Sequence, residues 1–199
     1  MNHSEPIIMG VLNVTPDSFS DGGKFFDSDL AIEQAKSMVE NGAGIIDIGG
    51  ESTRPGASAV SVNDELNRVI PVIEALKNEI NVPISIDTSK PEVMEQAISS
   101  GALIINDVNA LRAEGALEMA AKLKVDICLM HMQGNPRTMQ KNPSYADVVE
   151  DIKSFFKERI NACQESGIEL SSITLDPGFG FGKNLGHNIA LLKNLSEFH

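Results

Sequence analysis

The sequence predicts an α/β fold, and two observations favour a (β/α)8 TIM barrel of which these residues form the first six βα units. Apolar, strand-like runs alternate with helical patterns about six times, which is typical of a parallel sheet with right-handed crossovers. Nearly every apolar run also ends in a small polar side chain or a histidine. The residues at these ends are Asn13, Asp47, Asp87, Asn106, His131 and Asp176.

A doubly wound open sheet is the alternative architecture. Such a sheet binds its ligand at one switch point, so only the strands beside that point need polar ends. A barrel instead gathers all of its strand ends around one centre, and the recurring polar ends therefore favour it. The chain has 199 residues, fewer than the roughly 250 of a typical complete barrel. We expect residues 1–199 to form a single domain that is incomplete at the C-terminus.

The helical segments carry recognisable start and stop signals. Ser61-Val62-Asn63-Asp64 has the form of a capping box that begins a helix, and Pro71 within this helix predicts a kink or a strained turn. Ser89-Lys90-Pro91-Glu92 is a second capping box, whose helix ends at Gly101. The other helical patterns cover residues 29–41, 115–123, 145–166 and 187–196.

Composition narrows the classes of partner. A formal net charge of −12 argues against a nucleic-acid surface, which needs a basic face. No apolar stretch reaches the ~20 residues that span a bilayer, and no secretory leader opens the chain. The two cysteines have no CxxC spacing, which favours structural thiols in a reducing cytoplasm. We therefore expect a cytoplasmic protein with small-molecule partners and neither nucleic acid nor membrane among them.

Two loops have features of a ligand site, although either would also suit a surface turn. Residues 13–23 form a long polar loop with a lone aromatic residue and paired glycines, which is typical of a lid over a site. In residues 49–56, backbone amides near the glycines, the hydroxyl of Thr53 and the guanidinium of Arg54 suit a cradle for phosphate oxygens.

The acids at two strand ends need hydrogen-bond donors. A carboxylate at the mouth of a barrel is costly unless it faces a donor, and a guanidine-like ligand edge would offer two donors to Asp87 or Asp176. Asn106 beside them can both donate and accept. Each acid would otherwise cap a helix or pair with a lysine. His131 is a candidate general base, but a packed, hydrogen-bonded histidine is favoured.

The glycine-rich segment 177–184 resembles phosphate loops only superficially. It has neither the GxxxxGK(S/T) nor the GxGxxG spacing, which argues against nucleotide binding. It suits a tight backbone in which Phe179 or Phe181 forms an apolar wall for a flat ligand. The sequence has no cluster of metal ligands. A Mg²⁺ held by one or two protein oxygens and substrate phosphates would leave no such cluster.

Six segments of the chain, in order and over its whole length, resemble the dihydropteroate synthases, folate-pathway transferases that sulfonamide drugs inhibit. The resemblance implies a (β/α)8 barrel that joins 6-hydroxymethyl-7,8-dihydropterin diphosphate to 4-aminobenzoate and releases diphosphate. The segments are Met9–Gly23, Asp47–Gly56, Ser85–Thr88, Ile105–Asp107, Leu129–Gly134 and Leu175–Lys183.

The resemblance also implies a binding mode for the pterin. Asp87, Asn106 and Asp176 would hold the edge of the ring, in agreement with the donor argument. Met130 and Phe181 would pack on its face.

For the other substrate groups, the resemblance implies that Asn13 ligates Mg²⁺ and that Thr53 and Arg54 contact the diphosphate. Mg²⁺ and cationic groups would stabilise the leaving diphosphate while a pterin methylene cation forms. Asp21 would lie near that cation, so Asp21 and Arg54 are the expected catalytic residues. The residues implied to line the aminobenzoate pocket are Phe19 and Pro55.

Two alternatives remain at this point. A methyltetrahydrofolate methyltransferase would share the pterin-binding residues without needing Phe19 or the Thr53–Arg54 cradle. A truncated, non-catalytic pterin-binding fragment is the other. After Asp176 the family continues with a lysine–serine pair and an Arg-x-His motif that these residues do not include, so we expect little synthase activity from residues 1–199 alone. Full-length members are expected to be homodimers.

Overall fold

Six strands alternate with six helices in a computed structural model that describes residues 6–15, 24–52, 59–136 and 138–198. Two short 3₁₀ helices, Leu170–Ser172 and Leu195–Phe198, flank the last strand and helix. The elements are β1 (Met9–Asn13), α1 (Lys24–Glu40), β2 (Ile45–Gly49), α2 (Val62–Leu76), β3 (Ile84–Asp87), α3 (Pro91–Ser100), β4 (Ile104–Asp107), α4 (Ala116–Leu123), β5 (Asp126–Met130), α5 (Val148–Glu165), β6 (Ile173–Asp176) and α6 (Leu185–Lys193).

The sheet is parallel, and its strand order, β1-β2-β3-β4-β5-β6, follows the order of the chain. A doubly wound sheet reverses its strand order at a switch point, which this sheet does not do. The sequential order is that of a (β/α) barrel wall. In the described parts of the chain, no helix is long and apolar enough to cross a membrane.

Strand register separates a polar face from an apolar one. Side chains on the apolar face pack against the helices and form the main core, which includes Leu12, Ile46, Ile48, Ile86, Ile105, Ile127 and Leu129. Because side chains alternate along a strand, register partners share a face. The opposite face carries a level of mostly small and polar residues near the carboxyl ends, made of Asn13, Gly49, Asp87, Asn106, Cys128 and Thr174.

The start of α2 confirms the first predicted capping box. The backbone N–H of Asp64 donates to Ser61 Oγ at 3.1 Å, so the serine caps the helix. Pro71 lies inside α2, which continues as one helix to Leu76. The helix therefore accommodates the proline without ending there.

The second predicted capping box is wrong. The N-cap of α3 is Lys90, which makes no side-chain cap bond, and Pro91 is the first helical residue. Ser89 Oγ donates instead to the carboxylate of Asp107 at the end of β4. A buried charged acceptor satisfies the hydroxyl better than a helix end, because hydrogen bonds to charged groups are the stronger ones. Gly101 ends the helix as expected, with φ of 130°.

The prediction that an apolar run ends at Asp47 is also wrong. Strand β2 continues for two residues to Gly49, so Asp47 lies within the strand, on the same face as Gly49. Its side chain is 2% exposed. The sequence did not predict that the strand continues past Asp47, because a polar side chain inside a buried strand looks the same in sequence as one at its end.

Candidate active site

The structure brings the three predicted pterin-binding side chains to one face of the sheet, at its carboxyl end. Asp87 and Asn106 are register partners on neighbouring strands, so they share that face. Asp176 pairs with Met130, which lies two residues beyond Cys128, the register partner of Asn106. Period-two alternation therefore places Asp176 on the same face.

The cysteine on this face lies close to several acids of the site. Burial, and then the carboxylates of Asp176, Asp47 and Asp87, raise the pKa of Cys128 to about 12. The thiol is therefore protonated at neutral pH. A protonated thiol is a poor nucleophile, so Cys128 contributes packing and not a thiolate to this face.

Negative charge accumulates around Asp87. Burial, followed by the carboxylates of Asp47, Asp107 and Glu65, raises the pKa of Asp87 well above its usual range. A carboxylate in such surroundings is stabilised by a ligand that supplies N–H donors or positive charge.

A cavity of about 540 Å³ borders Asp87 and extends past Lys90 towards Met132. A larger hollow of about 980 Å³, between α5 and β6, contains none of the predicted site residues.

A buried acid fixes the orientation of Asn106. The amide Nδ2 of Asn106 donates to Asp47 Oδ2 at 2.9 Å, and burial raises the pKa of Asp47. Because Nδ2 faces Asp47, the carbonyl oxygen of the planar amide points away from Asp47. Asn106 can therefore present this oxygen to a ligand as an acceptor. In the part of the chain that the structure describes, Asp47 Oδ1 and Ser85 Oγ are buried without hydrogen-bond partners.

Methionines form an apolar wall beside the acids. A small cluster, separate from the main core, contains three buried methionines and is completed by two partly buried residues. Of the two phenylalanines proposed as a wall, Phe181 belongs to this cluster, whereas Phe179 is 40% exposed. Flexible thioethers adapt well to a flat ligand face. The members are Met130, Met132, Met139, Val108 and Phe181.

Comparison with known proteins agrees with this geometry. Residues 9–199 match the family model for pterin-binding enzymes. A dihydropteroate synthase of Escherichia coli K12 is 56% identical over 196 residues, which is 98% of this chain and 70% of that protein. The chain belongs to the dihydropteroate synthases.

Two solved dihydropteroate synthases share the fold. The Yersinia pestis enzyme in a sulfonamide drug complex is similar at a TM-score of 0.93 and 54% identity, covering 98% of this chain and 71% of that one. The Xanthomonas albilineans enzyme with 4-aminobenzoic acid gives a TM-score of 0.91 and 49% identity, covering 98% and 69% respectively. The predicted TIM-barrel class is confirmed, and these residues hold six of its βα units.

Asn13, from which the resemblance implies a magnesium ligand, offers a side-chain amide oxygen. The side chain is exposed at the end of β1, and its Oδ1 lies 3.7 Å from the point where a Cβ on Gly49 would stand. Asp87 Oδ2 lies 3.5 Å from the same point, so the glycine keeps this corner open. No group of three or more His, Cys, Asp or Glu able to hold a metal occurs among the described residues. An amide oxygen together with substrate phosphates and water would suffice for Mg²⁺.

The predicted loop residues lie outside the described residues: Phe19 and Asp21 in the first loop, and Thr53, Arg54 and Pro55 in the second.

The boundaries of the second loop are well anchored. Glu51 pairs with Lys90, which also pairs with the fully buried Glu65. Arg68 Nη1 donates to the carbonyl of Gly50 at 2.7 Å. On the other side of the loop, the backbone N–H of Val60 donates to Glu51 Oε1 at 3.3 Å. These contacts hold Gly50, Glu51 and Val60, which are described residues on either side of 53–58.

His131 is packed, as expected, and is not available as a base. Its Nδ1 lies 3.0 Å from Lys183 Nζ, and its ring meets Phe155 edge-on with centroids 4.9 Å apart. Burial, and then the neighbouring cations Lys183 and Arg112, lower the pKa of His131 to about 3. The imidazole therefore stays neutral at physiological pH.

Asp47 is a site residue to which the sequence analysis assigned no role, although it named Asp47 among the polar strand ends. The signal was the pattern Ile46-Asp47-Ile48-Gly49, which places a carboxylate and a side-chain-free position two residues apart on one face of a buried strand. Gly49 leaves space for a ligand, and Asp47 lies one level deeper in the sheet, opposite Ser85. From that position the Asp47 carboxylate accepts a hydrogen bond from Asn106, which lies one level nearer the carboxyl end of the sheet.

Proposed function

We propose that this chain binds a dihydropterin at the carboxyl end of the barrel and acts as a dihydropteroate synthase. The reaction condenses 6-hydroxymethyl-7,8-dihydropterin diphosphate with 4-aminobenzoate to give 7,8-dihydropteroate and diphosphate. The observation that carries the proposal is that Asp87, Asn106 and Asp176 lie on one face of the sheet at its carboxyl end, where Asp47 accepts from the amide nitrogen of Asn106.

The pterin edge complements these acceptors. Its 2-amino group and adjoining ring N–H form a guanidine-like edge, which can donate two hydrogen bonds to one carboxylate. Asp87 and Asp176 would accept from such groups, and Asn106 would accept through its carbonyl oxygen. The donors relieve the repulsion that raises the pKa of Asp87. Met130 and Phe181 would cover one face of the ring.

The chemistry is a substitution at the methylene carbon of the pterin. The C–O bond to diphosphate breaks with its electron pair leaving on diphosphate, and the nitrogen of 4-aminobenzoate forms the new C–N bond and then loses a proton.

Asn13 would hold Mg²⁺, which supplies positive charge to the diphosphate when bound. Thr53 and Arg54 would contact the same diphosphate, and Asp21 would lie near the carbon as positive charge develops. Phe19 and Pro55 would enclose the aminobenzoate. Because the aniline is neutral, positioning would supply most of the acceleration.

The comparisons support these assignments by similarity. The X. albilineans enzyme has been solved with 4-aminobenzoic acid, and the Y. pestis enzyme with a sulfonamide drug. We further propose that residues 1–199 act as one barrel domain, in the cytoplasm, with only these small molecules as substrates. We also propose that the full-length members of the family form homodimers.

Pterin fluorescence tests the binding half of the proposal directly. The chain contains no tryptophan, so the fluorescence of added 6-hydroxymethylpterin can be followed without protein interference. Wild-type protein should bind the pterin saturably, and Asp87→Asn should weaken binding by at least tenfold, on the order expected for a charged hydrogen bond. Asp126→Asn, at the opposite end of β5, is the matched control and should bind normally. Equal affinity in all three proteins would contradict the proposal.

Product formation tests the other half. Incubation with the pterin diphosphate, Mg²⁺ and radiolabelled 4-aminobenzoate should yield labelled dihydropteroate, but far less from residues 1–199 alone than from a complete eight-unit barrel, as the sequence analysis expects. Saturable pterin binding without any labelled product would reduce the proposal to a pterin-binding module. Preference for methyltetrahydrofolate over the pterin diphosphate would instead indicate a methyltransferase.

A further inference from the structure

A buried lysine follows the glycine-rich segment and is not among the residues assigned a role above. Lys183 is 3% exposed. Its Nζ lies 3.0 Å from His131 Nδ1 and donates to the carbonyl oxygens of His131 at 3.2 Å and Phe181 at 2.9 Å. An ammonium has three donors, so these three acceptors use all of them.

The loop between β6 and Lys183, residues 177–182, lies directly on the chain that follows β5. A Cβ on Gly178 would stand 2.0 Å from the carbonyl oxygen of His131, and the φ of Gly178 is +70°. No other residue could occupy that position without moving the loop. Tyr145 Oη donates to the carbonyl of Gly182 at 2.8 Å and holds the far end of the loop.

This loop orients one of the groups proposed to face the pterin and carries another. The backbone N–H of Gly178 donates to Asp176 Oδ1 at 2.8 Å, so the loop orients the carboxylate. The loop also places Phe181 in the methionine cluster. The backbone N–H of His131 donates to the carbonyl of Asp176 at 2.9 Å, which ties the same strand end to β5.

We propose that Lys183 is a positioning residue for pterin binding, whose ammonium fastens the 177–182 loop to His131 and so sets the Asp176 carboxylate and the Phe181 ring. The proposal rests on the proposed function, because a pterin must occupy the space that these two groups face. Lys183 itself does not contact the ligand, since its donors are all used within the protein.

The pair of Lys183 and His131 has a definite protonation state. Nδ1 of His131 accepts from the ammonium, so the ring proton is on Nε2. Burial lowers the pKa of Lys183 to about 8, opposed by the carboxylate of Asp176. Arg112 is the other cation that acts on the imidazole. At neutral pH the ammonium form, which the three acceptors require, is present.

The test compares Lys183→Met with Lys157→Met, a matched control on the exposed side of α5. Affinity for 6-hydroxymethylpterin is measured by its fluorescence, and the His131 ring is followed by ¹⁵N NMR in the same proteins. Lys183→Met should weaken pterin binding on the order of tenfold. It should also shift the Nδ1 resonance of His131, which a general loss of stability in a still-folded protein would not do. Lys157→Met should change neither.

Each outcome bears on the proposal. Wild-type pterin affinity in folded Lys183→Met overturns it, and so does weaker affinity with an unchanged His131 resonance. If Lys183→Met does not fold, Lys183→Gln, which keeps two donors and loses the charge, decides by the same two measurements. Absence of pterin binding by the wild-type protein would overturn the proposed function instead, so the two failures are distinguishable.

Discussion

Replacing Asp47 tests whether a buried acceptor sets the direction of Asn106. Asp47→Leu keeps a branched side chain, although a larger one, but offers no acceptor for Asn106 Nδ2, which now donates over 2.9 Å. Leaving that half-buried donor unsatisfied costs about 1–3 kcal/mol, or else the amide flips and presents N–H groups to the ligand. Since about 1.4 kcal/mol is tenfold in affinity, pterin binding should weaken by roughly 10- to 100-fold.

Asp47→Asn is the informative counterpart. Its amide oxygen can accept from Asn106, and its amide nitrogen can donate to Ser85 Oγ, which is buried without a partner among the described residues. The orientation of Asn106 is thereby kept. The pterin affinity should stay within about threefold of wild type, because the acceptor is kept and only the charge is lost.

Fluorescence titration of 6-hydroxymethylpterin measures both variants, and urea denaturation measures their stability. The reasoning is refuted if Asp47→Leu binds pterin as wild type does while remaining folded. It is also refuted if Asp47→Asn loses as much affinity as Asp47→Leu, because the charge and not the acceptor would then be what matters.

Four further predictions follow from the same contacts. Pterin affinity should fall at low pH as Asp87 becomes protonated, and Asp47→Asn should move this fall to lower pH, because the pKa of Asp87 is raised by burial and, next, by the Asp47 carboxylate. The same pH dependence in both proteins, measured by binding titrations from pH 4 to 8, would count against this. Gly178→Ala should destabilise the protein by more than about 2 kcal/mol in urea denaturation, since the added Cβ would meet the His131 carbonyl oxygen at 2.0 Å. Gly180 also has a positive φ, but a Cβ there meets nothing within 4 Å, so Gly180→Ala is the control for backbone strain. Equal losses of stability in the two variants would contradict the steric argument. The pKa of Lys183 falls from 10.5 in the unfolded chain to about 8 in the folded one, so folding releases a proton between these values. Relative to Lys183→Met, the free energy of unfolding of the wild type should therefore rise between about pH 8 and 10.5, by at most about 1.4 kcal/mol per pH unit. If the free energies of unfolding of the two proteins change with pH in parallel, the pKa of Lys183 is not lowered by folding. Asn13→Ala should weaken the Mg²⁺-dependent binding of the pterin diphosphate and leave the binding of 6-hydroxymethylpterin unchanged. Isothermal titration calorimetry measures both affinities, and two unchanged affinities would exclude Asn13 as the magnesium ligand.

The fold could be predicted from sequence because its signals are local and repeated. Buried parallel strands form continuous apolar runs, and glycines with positive φ, such as Gly42 and Gly101, end the helices before them. The strand order needed a further argument, namely that polar ends on nearly every strand indicate one shared centre. That argument was correct, because the order of the six strands follows the chain.

The parts that sequence did not predict depend on contacts between distant segments. Ser89 forms a capping pattern with Glu92, but Asp107, 18 residues away, takes its hydrogen bond. Asp47 and Asn106 are 59 residues apart, and their contact depends on the register of strands β2, β3 and β4. Local pattern cannot tell which of several polar groups a buried donor will reach.

A crystal structure of the protein with 6-hydroxymethylpterin tests the central claim most directly. The account predicts that the ring lies at the carboxyl end of the sheet, with its amino edge on the carboxylates of Asp87 and Asp176 and an N–H on the carbonyl oxygen of Asn106. Pterin density elsewhere, for example in the hollow between α5 and β6, or an Asn106 amide that faces the ring with its nitrogen, would contradict it.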